Sequence, residues 1–311
     1  MTHRVLLDTD VAMGAPGSDI DDGFAIGLAV ADPELSLELV TTVAGNTDLR
    51  SATALATDLL SRLGVDVPVV PGAAGPVLDP WRPREVAVEA GHRDLPPGRA
   101  AVEIADRVLA APGELDLVAI GPLTNIAAAF QIAPRIASAV RSLTVMGGYY
   151  TGTQGDVAVP GEFNIWADPE AAAIVLASGA PLRFVGLDVT YQVRMTERQA
   201  ADLARGGGDF GSYAGRCGLA WIETLRTRYP HSTTHGSFHL HDPLAVAAVD
   251  RPELLTWRPA HVQVAREGVA RGITVADLLG GHDAPAPNCE IAVGVDADGF
   301  LDHFLTLIGA L

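Results

Sequence analysis

The chain has 311 residues, 48% of them apolar, and a formal net charge of −17. That excess of acid argues against partners such as nucleic acid or an anionic membrane, and no run of about 20 apolar residues is present to span a bilayer. All 21 basic residues are Arg, so Schiff-base chemistry, a lysine general base and pyridoxal phosphate attachment are excluded.

The opening stretch, MTHRVLLDTD, is too short and too acidic for a signal peptide, which leads to the expectation of a cytoplasmic protein. Cys217 and Cys289 are far apart and form no metal motif or disulfide framework, so both are expected as reduced structural residues. No linker or low-complexity tract divides the chain, and residues 1–311 are expected to form one α/β domain.

Val5 to Leu7 reads as a buried strand leading into Asp8 and Asp10. Residues two apart on a strand share a face, so these two acids can share a site. A Gly/Pro-rich loop follows, then Asp19, Asp21 and Asp22, and then a helix over Phe24 to Val30, whose dipole favours acids at its start. One such Asp would be an ordinary strand end or helix cap. So many together repel one another and call for a hard divalent cation, which takes oxygen ligands.

Leu37 to Val43 reads as a strand ending at Gly45-Asn46, Leu49 to Leu63 as a helix, and Val67 to Val70 as a strand. Alternating strands and helices predict an open, mainly parallel, Rossmann-like sheet flanked by helices, with ligands outside its carboxyl edge. Asp10 and Asn46 both fall at that edge, although Asn46 alone would also serve as a turn residue. Gly75 to Arg99 reads as a long loop containing His92, and a lone loop His is more often a surface residue than a catalyst.

Ala101 to Ala111 reads as a helix and Leu115 to Ile120 as an apolar strand. The strand stops at Gly121-Pro122-Leu123-Thr124-Asn125, where Thr124 can cap the next helix or turn its carbonyl to the sheet edge. Leu143 to Met146 is a strand closed by Gly147-Gly148. Asp156, Glu162 and Asn164 fall in a polar loop before Asp168-Pro169, which reads as a structural N-cap and first helical residue. Leu182 to Leu187 is a further strand. Gly206 to Gly208 reads as a flexible joint, Gly215 to Arg228 as a helix, and Asp242-Pro243 as a cap opening a helix over Leu244 to Val249, with His241 beside it as a candidate proton donor. Strands are expected near His261 to Val264, Glu290 to Val295 and His303 to Leu307.

The first motif, followed in order by Gly45-Asn46, GPLTN (121–125), MGG (146–148), GEFN (161–164), HDP (241–243) and GITVAD (272–277), resembles the inosine–uridine-preferring nucleoside hydrolases. The likeness runs from Leu6 to Asp277. It implies hydrolysis of a ribonucleoside to ribose and free base, with Ca²⁺ bound at the carboxyl edge of the sheet. By this resemblance Asp10, Asp22, the main-chain carbonyl of Thr124 and Asp242 match the calcium ligands, and Asp10 also matches the base that activates water. Asp21 matches a ribose 2′-hydroxyl contact. Asn46, Glu162 and Asn164 match further ribose or water contacts. Met146 and His92 match substrate positions, and His241 matches an acid for the leaving base. A homodimer or homotetramer is implied, with loops 75–99 and 206–238 over the site.

Two departures stand out. The family usually runs DxDPGxDD, whereas here VAMGAPGSDI separates Asp10 from Asp21 and adds Asp19. Asp156 stands where the family usually has Asn, and a carboxylate there would repel a 5′-phosphate. A single DTDV motif also resembles haloacid-dehalogenase-type phosphatases, but these use a downstream Lys that this chain lacks. A non-catalytic nucleoside or sugar binder is the other alternative.

Overall fold

The computed structural model describes residues 2–78, 98–152, 159–230 and 235–311. In chain order the elements are β1 (His3–Thr9), α1 (Asp21–Ala31), β2 (Leu35–Thr42), α2 (Leu49–Arg62), β3 (Val69–Pro71), α3 (Ala100–Ala110), β4 (Leu115–Ala119), α4 (Thr124–Ile132), α5 (Ile136–Ala139) and β5 (Ser142–Met146). Next come α6 (Phe163–Ala167), α7 (Pro169–Leu176), β6 (Leu182–Val185), α8 (Leu187–Thr190), β7 (Arg194–Thr196), α9 (Glu197–Gly206) and α10 (Asp209–Arg228). The chain ends with β8 (Ser237–His239), α11 (His241–Ala247), β9 (Leu255–Val264), β10 (Thr274–Asp277), β11 (Cys289–Val295) and α12 (Ala297–Gly309).

Nine strands form the main sheet in the order β10-β9-β11-β6-β5-β4-β1-β2-β3. From β3 to β11 every pairing is parallel, while β9 pairs antiparallel with both β11 and β10. The expected open, mainly parallel α/β sheet is therefore what forms. The stretch β3-β2-β1-β4-β5-β6 has the doubly wound order, in which the chain turns back between β1 and β4, and such a reversal opens a crevice at the carboxyl ends of the strands.

Alternation along β1 divides the core. Val5 and Leu7 join α1, α2 and α10 to α12 on one face, and Leu6 joins α3, α4 and α7 on the other. Pleated strands send successive side chains to opposite faces, which is why an apolar run such as Val5 to Leu7 of β1 suits a sheet covered on both sides.

Several local expectations change. Residues 303–307 lie inside α12, not in a strand: Phe300, Phe304 and Ile308, four apart, are fully buried along one helix face. The helix expected from Gly215 begins at Asp209, so the span 206–238, expected as a loop, is largely α10. The Gly206 to Gly208 joint is a packed turn, where a Cβ on Gly208 would lie 2.3 Å from the Leu311 carbonyl. The strand expected to Leu187 stops at Val185, and α8 begins at Leu187. Leu123 and Leu240, not Thr124 and Asp242, hold the cap positions of α4 and α11. Asp168 is the N-cap of α7, accepting from the Ala171 N–H at 3.0 Å. Both cysteines are free thiols.

Candidate active site

Asp10 follows the last residue of β1 and is fully buried. Its Oδ2 accepts the Asn46 N–H at 2.6 Å, while its Oδ1 is buried with no hydrogen-bond partner. Two glycines make room for it. A Cβ on Gly45 would lie 1.9 Å from Oδ2, and one on Gly121 would lie 3.0 Å from Oδ1. The turns after β2 and β4 thus close around the acid that follows β1.

Asp21 and Asp22 occupy the first turn of α1, where backbone N–H groups face an anion. Asp22 accepts the Thr9 hydroxyl at 2.5 Å and the Asn46 side-chain N–H at 3.1 Å. Asp21 Oδ2 accepts the Asp242 N–H at 3.0 Å, which ties α1 to the start of α11. Oxygens of Asp21, Asp22 and Asp242 lie within 4.8 Å of one another. Asp8, by contrast, does not face this group; its Oδ1 accepts from Thr41 and Asn125, and its other oxygen is buried without a partner.

The long loop between Asp10 and Asp21 is anchored at both ends. Val11, Ala12 and Met13 are fully buried, and Gly14 and Gly17 take positive φ angles of 102° and 78°, which glycine adopts without strain. Arg228, at the end of α10, donates to the Gly17 carbonyl at 2.7 Å. Asp19 is partly buried next to Asp21 and Asp22. Burial, with repulsion from Asp22, raises its carboxyl to about 6, and Arg228 opposes the shift.

Burial is the chief force pushing Asp10, Asp21 and Asp242 well above the usual carboxylate range, and each is pushed further by its acidic neighbours. Acids packed this way stay ionised together when a positive charge sits among them. The donors are carboxylate oxygens, one of them orphaned, which suits a hard divalent cation. The residues therefore fit a bound hard divalent cation.

Other candidates line the neighbouring strand ends. Glu162 is the N-cap of α6: it accepts N–H groups from Asn164 at 2.7 Å, Ile165 at 3.0 Å and Gly148 at 3.2 Å. Asn164 donates to the Ile120 carbonyl at 3.0 Å and the Met146 carbonyl at 3.3 Å, the ends of β4 and β5. Met146 is buried, with its sulfur 3.6 Å from the Asn164 amide. Thr124 opens α4 at the same edge, and its hydroxyl donates to Asp168 at 2.7 Å.

His241 is held at Nδ1 by the Thr190 hydroxyl at 2.7 Å. Its ring lies 5.2 Å from that of His239 and 5.7 Å from that of Tyr191. Burial, then the neighbouring His239, lowers its pKa to about 3, and burial with Arg194 lowers that of His239 to about 4. Both rings are therefore neutral near pH 7. Thr190, Tyr191 and Thr9 gave no signal in the sequence, since each is an ordinary residue placed by the fold. His92 and Asp156 lie outside the described residues.

Residues 5–302 match the family described as inosine-uridine preferring nucleoside hydrolase. The chain is 38% identical to the non-specific ribonucleoside hydrolase RihC of Escherichia coli O1:K1, over 96% of each chain. Among solved structures it resembles a purine-preferring ribonucleoside hydrolase from Gardnerella vaginalis, with TM-score 0.85, 31% identity and 98% of each chain covered. It also resembles a plant nucleoside hydrolase, the PpNRh1 enzyme, with TM-score 0.86, 29% identity and 100% of each chain covered. With the doubly wound sheet and the acids gathered at its switch point, this likeness over nearly the whole length shows that the chain belongs to the inosine-uridine preferring nucleoside hydrolase family and is a nucleoside hydrolase.

Proposed function

We propose that the chain hydrolyses the N-glycosidic bond of purine or pyrimidine ribonucleosides such as inosine and uridine, giving ribose and free base, with Ca²⁺ held by Asp10, Asp22, Asp242 and the Thr124 main-chain carbonyl. The observation that carries this reading is the buried convergence of Asp10, Asp21, Asp22 and Asp242 at the β1/β4 switch point, with one Asp10 oxygen unpaired.

When bound, the ion supplies Lewis acidity toward water and the sugar diol. Asp10 takes the proton of the attacking water, with its carboxylate oriented by the Asn46 N–H on Oδ2. Asp21 receives the ribose 2′-hydroxyl, and Asn46, Glu162, Asn164 and Met146 shape the sugar pocket. The surrounding carboxylates stabilise the oxocarbenium-like transition state electrostatically. His241, steadied by Thr190, meets the leaving base. On the family resemblance alone, His92 meets the nucleobase and Asp156 the 5′-hydroxyl. The same resemblance supports a homodimer or homotetramer, and with the two free thiols it supports a cytoplasmic setting. Among the described residues no helix is long and apolar enough to cross a membrane.

Release of reducing sugar from inosine, uridine, cytidine and adenosine tests the reading. Hydrolysis that stops on prolonged chelation and returns with calcium is the expected result. A calcium-loaded protein that binds nucleosides without hydrolysing any of them would favour the binding alternative.

A further inference from the structure

Among the described residues a second group with metal-ligand spacing lies at the other end of α1. Asp32, at the C-cap of α1, Asp250, just after α11, and His303, on α12, each offer a ligand atom within 4.8 Å of the others. The 11 residues of α1 separate this group from Asp21 and Asp22, about 16 Å along the helix axis. The two groups therefore do not share a ligand.

Asp32 is buried, and Asp250 and His303 are partly buried. The side chains of Asp32, Asp250 and His303 are 1%, 3% and 15% exposed. Asp250 Oδ1 is buried with no hydrogen-bond partner, and such an orphaned carboxylate oxygen is costly unless something unseen satisfies it. Its other oxygen, Oδ2, lies 3.6 Å from the Arg251 Nε, beyond hydrogen-bond reach.

The histidine poses a second problem. His303 Nε2 lies 2.7 Å from Asp32 Oδ2, an acceptor, and 3.2 Å from the Arg251 Nε–H, a donor. One ring nitrogen carries either a proton or a lone pair, so it cannot satisfy both neighbours. If it donates to Asp32, the Arg251 N–H faces another N–H. If it accepts from Arg251, its lone pair faces a carboxylate oxygen. A cation between Nε2, Asp32 and Asp250 resolves the conflict, with the guanidinium moved to an outer carboxylate oxygen.

We propose that Asp32, Asp250 and His303 form a second divalent-metal site, selective for a transition metal of the Zn²⁺ class. One imidazole and two carboxylates are ligands that Zn²⁺ accepts in a tetrahedral site, with water as the fourth. Ca²⁺ takes six to eight oxygens and is poorly matched to a set of three that includes a nitrogen. The two ends of α1 thus differ in the metal they hold. The amino-edge site ties α1, α11 and α12 together, and α11 also carries Asp242.

The test uses the full-length protein, stripped by chelation, reloaded with Ca²⁺ and then equilibrated with Zn²⁺, with both metals counted by elemental analysis. Wild type is expected to retain one Zn²⁺ per chain beyond its calcium and to melt at a higher temperature when Zn²⁺ is present. His303→Gln and Asp250→Asn should each lose the zinc and the thermal shift, while calcium content and nucleoside hydrolysis stay as in wild type. X-ray absorption at the zinc edge should show one imidazole nitrogen among oxygen neighbours. Wild type that retains no zinc overturns the proposal. So does zinc retained equally by both variants, because it is then held elsewhere.

Discussion

Asp10 sits between Gly45 and Gly121, and the space left by their absent side chains sets its position. A Gly45→Ala variant puts a methyl group into the Asp10 carboxylate and must move one or the other. Displacements near 1 Å in a catalytic group cost about 10²-fold in rate. We expect Gly45→Ala to keep the far-ultraviolet circular dichroism of wild type and to lose about 10²-fold in kcat on inosine. A wild-type kcat would mean that Asp10 does not act from this position. At His241 the expectation is smaller. Thr190→Val removes the hydroxyl at Nδ1, a hydrogen bond of about 1 kcal/mol, and should lower kcat about five-fold, with Thr190→Ser restoring it. An unchanged Thr190→Val would remove the positioning role.

Thiol chemistry is fixed at the same scale. Burial, helped by Glu290, raises Cys289 to about 12. A raised thiol pKa leaves less thiolate, on the order of 10⁻⁴ of the population at pH 8, and thiolate is the reactive form. Cys289 should therefore react with a disulfide reagent at pH 8 only after denaturation, and immediate labelling in the native protein would contradict its placement in β11.

At the level of elements, what could be read from sequence depended on whether the signal was local. β1, β2, β4 and β5 are short segments rich in Leu and Val, set between glycines and polar turns, and all four formed close to their expected bounds. Asp168-Pro169 carried its own cap chemistry and formed as expected. The C-terminal segment failed because a short window over His303 to Leu307 hides the four-residue spacing of Phe300, Phe304 and Ile308. Asp242 looked like a cap because it precedes Pro243, yet α11 starts earlier and carries Asp242 in its first turn, facing α1. The candidate site was legible wherever a motif placed an acid at a strand end. The pairing of His241 with Thr190 and the separation of Asp8 from Asp10 were not, because both depend on tertiary neighbours.

The helical reading of the C-terminus makes a stability prediction. Phe304 is fully buried, 5.7 Å from the rings of both Phe24 and Phe300. Aromatic truncations in such a core cost about 3–5 kcal/mol. Phe304→Ala should lower the urea midpoint accordingly and leave kcat per folded molecule unchanged. A loss under about 1 kcal/mol would place α12 outside the core.

For the whole molecule, the doubly wound order explains why acids distant in sequence meet. The reversal between β1 and β4 opens a crevice where Asp10, Asn46 and Thr124 follow neighbouring strands, and α1 and α11 bring Asp21, Asp22 and Asp242 to it. The net charge of −17 suits a neutral nucleoside better than a phosphorylated one. Crowding buried carboxylates is costly, and a bound cation would offset that cost, so metal content and activity should rise and fall together.

The most direct test is to measure calcium per chain and inosine turnover on the same samples of wild type and Asp242→Ala, before chelation, after it and after calcium add-back. Wild type is expected to hold one calcium in the catalytic crevice, to lose turnover with it and to regain both. Asp242→Ala should bind calcium weakly and turn over slowly in proportion. Full turnover by metal-free wild type, or unchanged calcium content in Asp242→Ala, would contradict the account.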